Sequence, residues 1–175
     1  MFLTAGFFTA RVDAAPLESG YSLAPKKNAP PEEKAYAYQN ARIKVLEAAI
    51  KYIGVPYRHG GISANGLDCS GFIGICFKDA LGIALPRSVS ALYSWVEKIP
   101  YEKAQPGDFL FFKTGKNENI THVALYLGEN WFIHSASAGS KTGVIYSNLG
   151  EDYWMEVYAG AGRAFPETFG TLDRN

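Results

Sequence analysis

The hydrophobic period of this chain changes once along its length, and that change limits the folds open to it. From Glu32 to Ile53 the apolar residues Tyr36, Ile43, Leu46, Ile50 and Ile53 recur mostly at three- and four-residue steps. That spacing predicts an amphipathic helix, which Gly54 and Pro56 then stop. Asp68 to Leu81 predicts a second helix with Phe72, Ile75, Cys76 and Phe77 inward, ending before Gly82, and Ser88 to Val96 a third, shorter one. Beyond that the pattern is of strands. Asp108 to Lys113, Thr121 to Leu127, Trp131 to Ser135, Val144 to Ser147 and Met155 to Ala159 are short, rich in aromatic and β-branched residues, and separated by Gly, Asn or Ser. Helices first and strands second predicts an α+β fold, with the N-terminal helices packed on an antiparallel β-sheet.

With 175 residues, 47% of them hydrophobic, the chain has enough apolar surface for one core and the size of one domain. Ala14 to Pro31 carries four prolines and little periodicity, the composition of a linker. The expected organisation is therefore an apolar start and Pro-rich linker over residues 1–31, one folded domain over 32–166, and a tail over 167–175. Met1 to Ala10 is apolar and leads into Arg11 to Ala15, where Val12 and Ala14 resemble a secretory cleavage pattern; the basic segment that normally precedes such a run is missing. Export to the cell envelope or beyond is the expectation. Seventeen basic and seventeen acidic residues balance to zero, which argues against general affinity for nucleic acid or anionic membrane. No stretch approaches the roughly 18 apolar residues of a membrane span. The oligomeric state is not legible.

Two cysteines in a chain expected to be exported suggest a disulfide, but Cys69 and Cys76 fall seven residues apart on one predicted helix. At about 1.5 Å rise per residue their backbones stand roughly 10 Å apart. A disulfide needs Cα atoms within about 7 Å, so an intact helix leaves both thiols free. Neither a close cysteine pair nor an H-x₃₋₅-H spacing points to zinc. Cys76, among Phe72, Ile75 and Phe77, reads as a small buried hydrophobe. Cys69 stands at a helix start, where unpaired N–H groups and the helix dipole favour thiolate.

A thiol nucleophile needs a base. Strand alternation puts His122, Ala124 and Tyr126 on one face. If Gly128-Glu129-Asn130 forms a three-residue hairpin loop, Leu127 pairs with Trp131 and Ala124 with His134, so His134 becomes a diagonal neighbour of His122 on the same face. A two-residue loop would turn His134 to the other face. Two unrelated, locally bonded histidines remain the alternative.

Six segments then stand in a recognisable order. They are Pro56-Tyr57-Arg58-His59-Gly60-Gly61, Asp68-Cys69-Ser70-Gly71-Phe72, Leu85-Pro86-Arg87-Ser88, Pro106-Gly107-Asp108-Phe109-Leu110-Phe111-Phe112, His122-Val123-Ala124-Leu125-Tyr126-Leu127-Gly128 and Phe132-Ile133-His134. The chain from about Ile43 to Arg163 resembles the NlpC family of papain-like peptidoglycan endopeptidases. The resemblance implies a papain-like fold, peptidoglycan peptides as substrate and no cofactor. It further implies Cys69 as nucleophile, His122 as base and His134 as the group orienting it. Tyr57 would supply a hydroxyl near the oxyanion, and Asp68 and Ser70 would line the substrate cleft; Asp68 also suits a helix cap and Ser70 a helix-start hydroxyl. His59 stands where relatives often have tryptophan, Ala124 where glycine is common, and Ser135 where alanine is common. Asp108, in the turn before a strand, reads as structural. Trp131, Phe132, Tyr153, Trp154 and Tyr158 read mostly as core, with some free to line the groove. Related papain-like folds also act as amidases or acyltransferases on other amides or lipids, and a wall-binding module with a dead site is a third possibility.

Overall fold

The computed structural model describes residues 28–116, 118–139 and 141–165. The expected apolar start, the linker up to residue 27 and the tail lie outside the described residues. Helix α1 (Pro31–Lys51) opens with a proline at its first position, where no N–H is needed, and with Glu32 and Glu33 at the positive end of its dipole. A two-stranded ribbon, β1 (Ile62–Ser63) and β2 (Gly66–Leu67), leads into α2 (Cys69–Leu81), which Gly82 ends in a left-handed cap. Helix α3 (Val89–Trp95) follows, capped by the Ser88 hydroxyl accepting from Ala91 N.

The second half is a six-stranded antiparallel sheet in the order β3-β8-β4-β5-β6-β7. Its strands are β3 (Glu97–Ile99), β4 (Phe109–Phe112), β5 (His122–Gly128), β6 (Trp131–Ala136), β7 (Gly143–Asn148) and β8 (Tyr158–Arg163). The α+β expectation holds. Phe109, Phe111, Val123, Leu125 and Ile133 face the helices; Leu110, Phe112, Ala124, Tyr126 and Phe132 face the other way, under Trp154 and Tyr158. Asp108 is fully buried between the guanidinium groups of Arg42 (2.7 Å) and Arg163 (2.9 Å), so it ties α1 to the sheet as a structural carboxylate.

Three expectations need correction. Most of the expected stripe faces outward: Tyr36, Ile43 and Ile50 on α1 and Ile53 just beyond it are 54%, 47%, 53% and 42% exposed and only Leu46 packs partly against the core, while Ala41, Val45, Ala48 and Ala49 are buried. Small side chains let α1 approach α2 closely, and that face carries less hydropathy than the one it displaces. Met155 to Val157 are helical, in α4 (Asp152–Val157), and the strand runs from Tyr158 to Arg163, through glycines that break the alternating signal. The β5–β6 connection is a two-residue turn, with Gly128 opposite Trp131 and both Glu129 (φ 50°) and Asn130 (φ 66°) left-handed. A bulge between Tyr126 and Gly128 supplies the missing residue, and the ladder continues as Tyr126 with Phe132 and Leu125 with Ile133. This is the register that sets Ala124 opposite His134.

Candidate active site

The Gly-rich loop before α2 is held as a template for Cys69. Arg58 N donates to Leu67 O, Leu67 N to Pro56 O, and Asp68 N to Gly61 O. Tyr57 bridges to Leu67. From the sheet, the Ser135 hydroxyl donates to Leu67 O at 2.7 Å. The loop packs so closely that a Cβ on Gly71 would stand 2.0 Å from Gly61 O. Asp68 caps α2, its Oδ1 accepting from Gly71 N at 2.6 Å. Cys69 is thus the first residue of the helix and buried; Cys76 is buried too, and both thiols are free.

The imidazoles come from the sheet. His122 starts β5 on the face of Ala124 and Tyr126, and its Nε2 lies 2.8 Å from Nδ1 of His134 on β6. Nδ1 of His122 takes no part in that bond. The backbone of Val123, next in the chain to His122, pulls the pKa of the Cys69 thiol down, which puts the thiol beside it. Nε2 of His134 lies 3.0 Å from the Ser147 hydroxyl on β7. Trp154 covers both rings, at 5.9 Å from His122 and 5.0 Å from His134 between centroids, with Phe112 and Phe132 beside them.

This surround sets the charge states. Burial lowers the pKa of His122 to about 4 and that of His134 well below its ordinary value, the latter also through repulsion from His122, so both rings rest neutral. Burial also pushes the Cys69 thiol up, against the pull of backbone groups of Val123, Ser70 and Cys69 itself. The helix start alone does not yield a standing thiolate: next to an uncharged imidazole, desolvation outweighs the dipole. The proton rests on sulfur, and the imidazole of His122 is neutral.

Beside the thiol, Asp68 is occupied by the protein. Ser70 Oγ (3.1 Å), Gly71 N and Arg87 Nη1 (3.0 Å) donate to its Oδ1, and Arg87 Nη2 (2.6 Å) to Oδ2. Burial alone would raise its pKa; the bonds from Arg87 and Gly71, the Arg87 charge and the Ser70 hydroxyl together hold it below the ordinary value. Arg87 also donates to Ser70 Oγ at 2.7 Å. Burial raises the pKa of the half-buried Tyr57 hydroxyl, with further contributions from its neighbours Cys69 and Asp68. His59 is exposed and outside the cluster. On the histidine side a cleft of about 620 Å³ opens, lined by His122, His134, Tyr146, Ser147, Tyr153 and Trp154 among others. Arg87, Ser147 and the capping role of Trp154 escaped the sequence reading; Arg87 lay within a quoted motif, whereas Ser147 carried no signal. Among the described residues no group of three or more His, Cys, Asp or Glu is placed to share a metal ion, and no helix is long and apolar enough to cross a membrane.

Comparison with known proteins gives relatives for this arrangement. The chain is 38% identical over 108 residues to a probable endopeptidase of Haemophilus influenzae, covering 62% of this chain and 65% of that protein. It is 35% identical over 134 residues to the murein DD-endopeptidase MepH of Escherichia coli, covering 74% and 49%. The chain thus spans less than two thirds of the length of either. Among solved structures, a protein from Staphylococcus aureus described as similar to a lipoprotein of the NLP/P60 family superposes with a TM-score of 0.63 at 38% identity, covering 73% of this chain and 42% of that one. The sequence pattern of the NlpC/P60 family matches residues 54–163, and the chain belongs to that family.

Proposed function

We propose that this protein is a cell-wall hydrolase, a cysteine endopeptidase that cuts amide bonds in the stem peptides or cross-links of peptidoglycan. The substrate follows from the relatives, of which the Escherichia coli protein is named a murein DD-endopeptidase. The observation that carries the chemistry is the 2.8 Å bond between His122 Nε2 and His134 Nδ1, which leaves His122 Nδ1 for a thiol held at the neighbouring backbone.

In this reading, the Cys69 thiol attacks the amide carbon as His122 Nδ1 takes its proton. The tetrahedral oxyanion receives the backbone N–H of Cys69 and the Tyr57 hydroxyl. Its collapse breaks the C–N bond, with His122 returning the proton to the leaving amine and the acyl group remaining on sulfur as a thioester. His122 next takes a proton from water, whose oxygen attacks the thioester; the acid leaves and the thiol is restored. His134 accepts from His122 Nε2–H throughout, which favours the imidazolium more weakly than a carboxylate would. Asp68, Ser70 and Arg87 form one polar cluster beside the thiol, and the 620 Å³ opening lies on the histidine side. A protein working on murein acts in the envelope or outside the cell.

Cys69→Ala separates the reading from its alternatives. It is expected to bind murein fragments without cutting them. Acyl turnover on other amides or lipids, with no new murein fragments, would favour an amidase or acyltransferase; binding without any turnover by the unaltered protein would favour a wall-binding module.

A further inference from the structure

The chain of ring nitrogens does not stop at His134. We propose that Ser147 is a positioning residue, whose hydroxyl accepts from His134 Nε2–H and thereby leaves Nδ1 of that ring unprotonated to accept from His122. This rests on the roles proposed for Cys69, His122 and His134.

The argument concerns one proton. Neutral His134 carries a hydrogen on one nitrogen only. When His122 takes the thiol proton, both of its nitrogens carry hydrogen, and its Nε2–H needs an acceptor 2.8 Å away at His134 Nδ1. The His134 hydrogen must then sit on Nε2, where the partner is Ser147 Oγ at 3.0 Å. His134 is fully buried and Ser147 nearly so, and the Ser147 hydroxyl is the partner that the fold sets at Nε2. Without the hydroxyl, an Nε2–H would be buried unpaired, and the ring would favour the other tautomer, donating from Nδ1 to His122 Nε2. A ring donating there opposes proton uptake by His122. Ser147 thus fixes the direction of both bonds. Because Ser147 Oγ accepts from Nε2–H, its own hydrogen points away from His134.

The test uses the full chain labelled with ¹⁵N at pH 7, where both rings are neutral. Long-range ¹H–¹⁵N spectra of the unaltered protein should show His134 with hydrogen on Nε2 and a bare Nδ1. Ser147→Ala should move His134 toward the Nδ1–H form and slow alkylation of Cys69 by iodoacetamide about tenfold, the effect of a buried donor losing its acceptor. Ser147→Thr, which keeps the hydroxyl on a strand position suited to β-branched residues, should restore both readings. If Ser147→Ala is folded by circular dichroism yet keeps the Nε2–H tautomer and the unaltered alkylation rate, the inference is wrong. Neither reading uses murein, so a protein that cuts no peptidoglycan overturns the proposed function and leaves this result standing.

Discussion

Asp68 directs both carboxylate oxygens at the protein rather than at solvent: a helix start, a serine and a two-pronged arginine hold it. Arg87 is half exposed, so breaking its pair should cost only about 1 kcal/mol, the upper range for a solvent-screened bridge. Arg87→Gln should show that loss in urea unfolding at pH 7. Because the Asp68 pKa is depressed in the fold, the loss should be complete above the ordinary carboxylate range and vanish as pH falls through the lowered value. The buried imidazole works in the opposite sense. Burial lowers the His122 pKa to about 4 in the fold, against about 6.5 for a solvated imidazole, so between those pH values the unfolded chain binds a proton that the folded one refuses. His122 alone should therefore cost about 3 kcal/mol of stability as pH drops from 6.5 to 4, with His134 adding to the fall in the same direction, and His122→Gln should show a shallower decline. At this scale local rules put Cys69 and its cap Asp68 at a helix start and His122 and His134 on one face, conditional on the turn, while the family resemblance supplied the roles expected of them. Arg87 and Ser147 join the site from distant segments, and no local pattern reports that.

Element by element, the errors share a physical cause. Hydropathy ranks Ile above Ala, so it chose the wrong face of α1, whereas packing against α2 selects small volume. Ile43→Lys and Ile50→Glu should each change stability by less than about 0.5 kcal/mol, as surface substitutions do. Ala49→Leu should cost about 1–3 kcal/mol through overpacking, read by thermal unfolding. The β5–β6 hairpin shows the converse, a wrong turn with the right result: loop length was misjudged, but the bulge keeps His134 beside His122. Ser135, legible only as an unusual residue after the histidine, donates to Leu67 O and so links β6 to the loop that carries the thiol. Ser135→Ala should lower stability by about 1 kcal/mol. Gly71→Ala should do more, since its Cβ meets Gly61 O at 2.0 Å and the backbone must move; loss of Cys69 alkylation selectivity would register it.

Across the whole molecule, the helical half contributes the thiol and the sheet half contributes the two imidazoles and their supports. They meet at one corner, where α2 begins and β5 begins. That division follows from the single change in hydrophobic period, and it is why fold class could be read early while the cleft beyond the imidazoles could not. The same arrangement predicts selective chemistry: at pH 7 iodoacetamide should alkylate Cys69 and spare Cys76, which is buried in mid-helix with its thiol pushed up by burial. The most direct test of the account is mass spectrometry of fragments released from purified sacculi. The unaltered protein should release peptides with new amine and carboxylate ends at one type of amide bond, and Cys69→Ala should release none. Equal release by the Cys69→Ala protein would contradict the assignment of the nucleophile and with it the central claim.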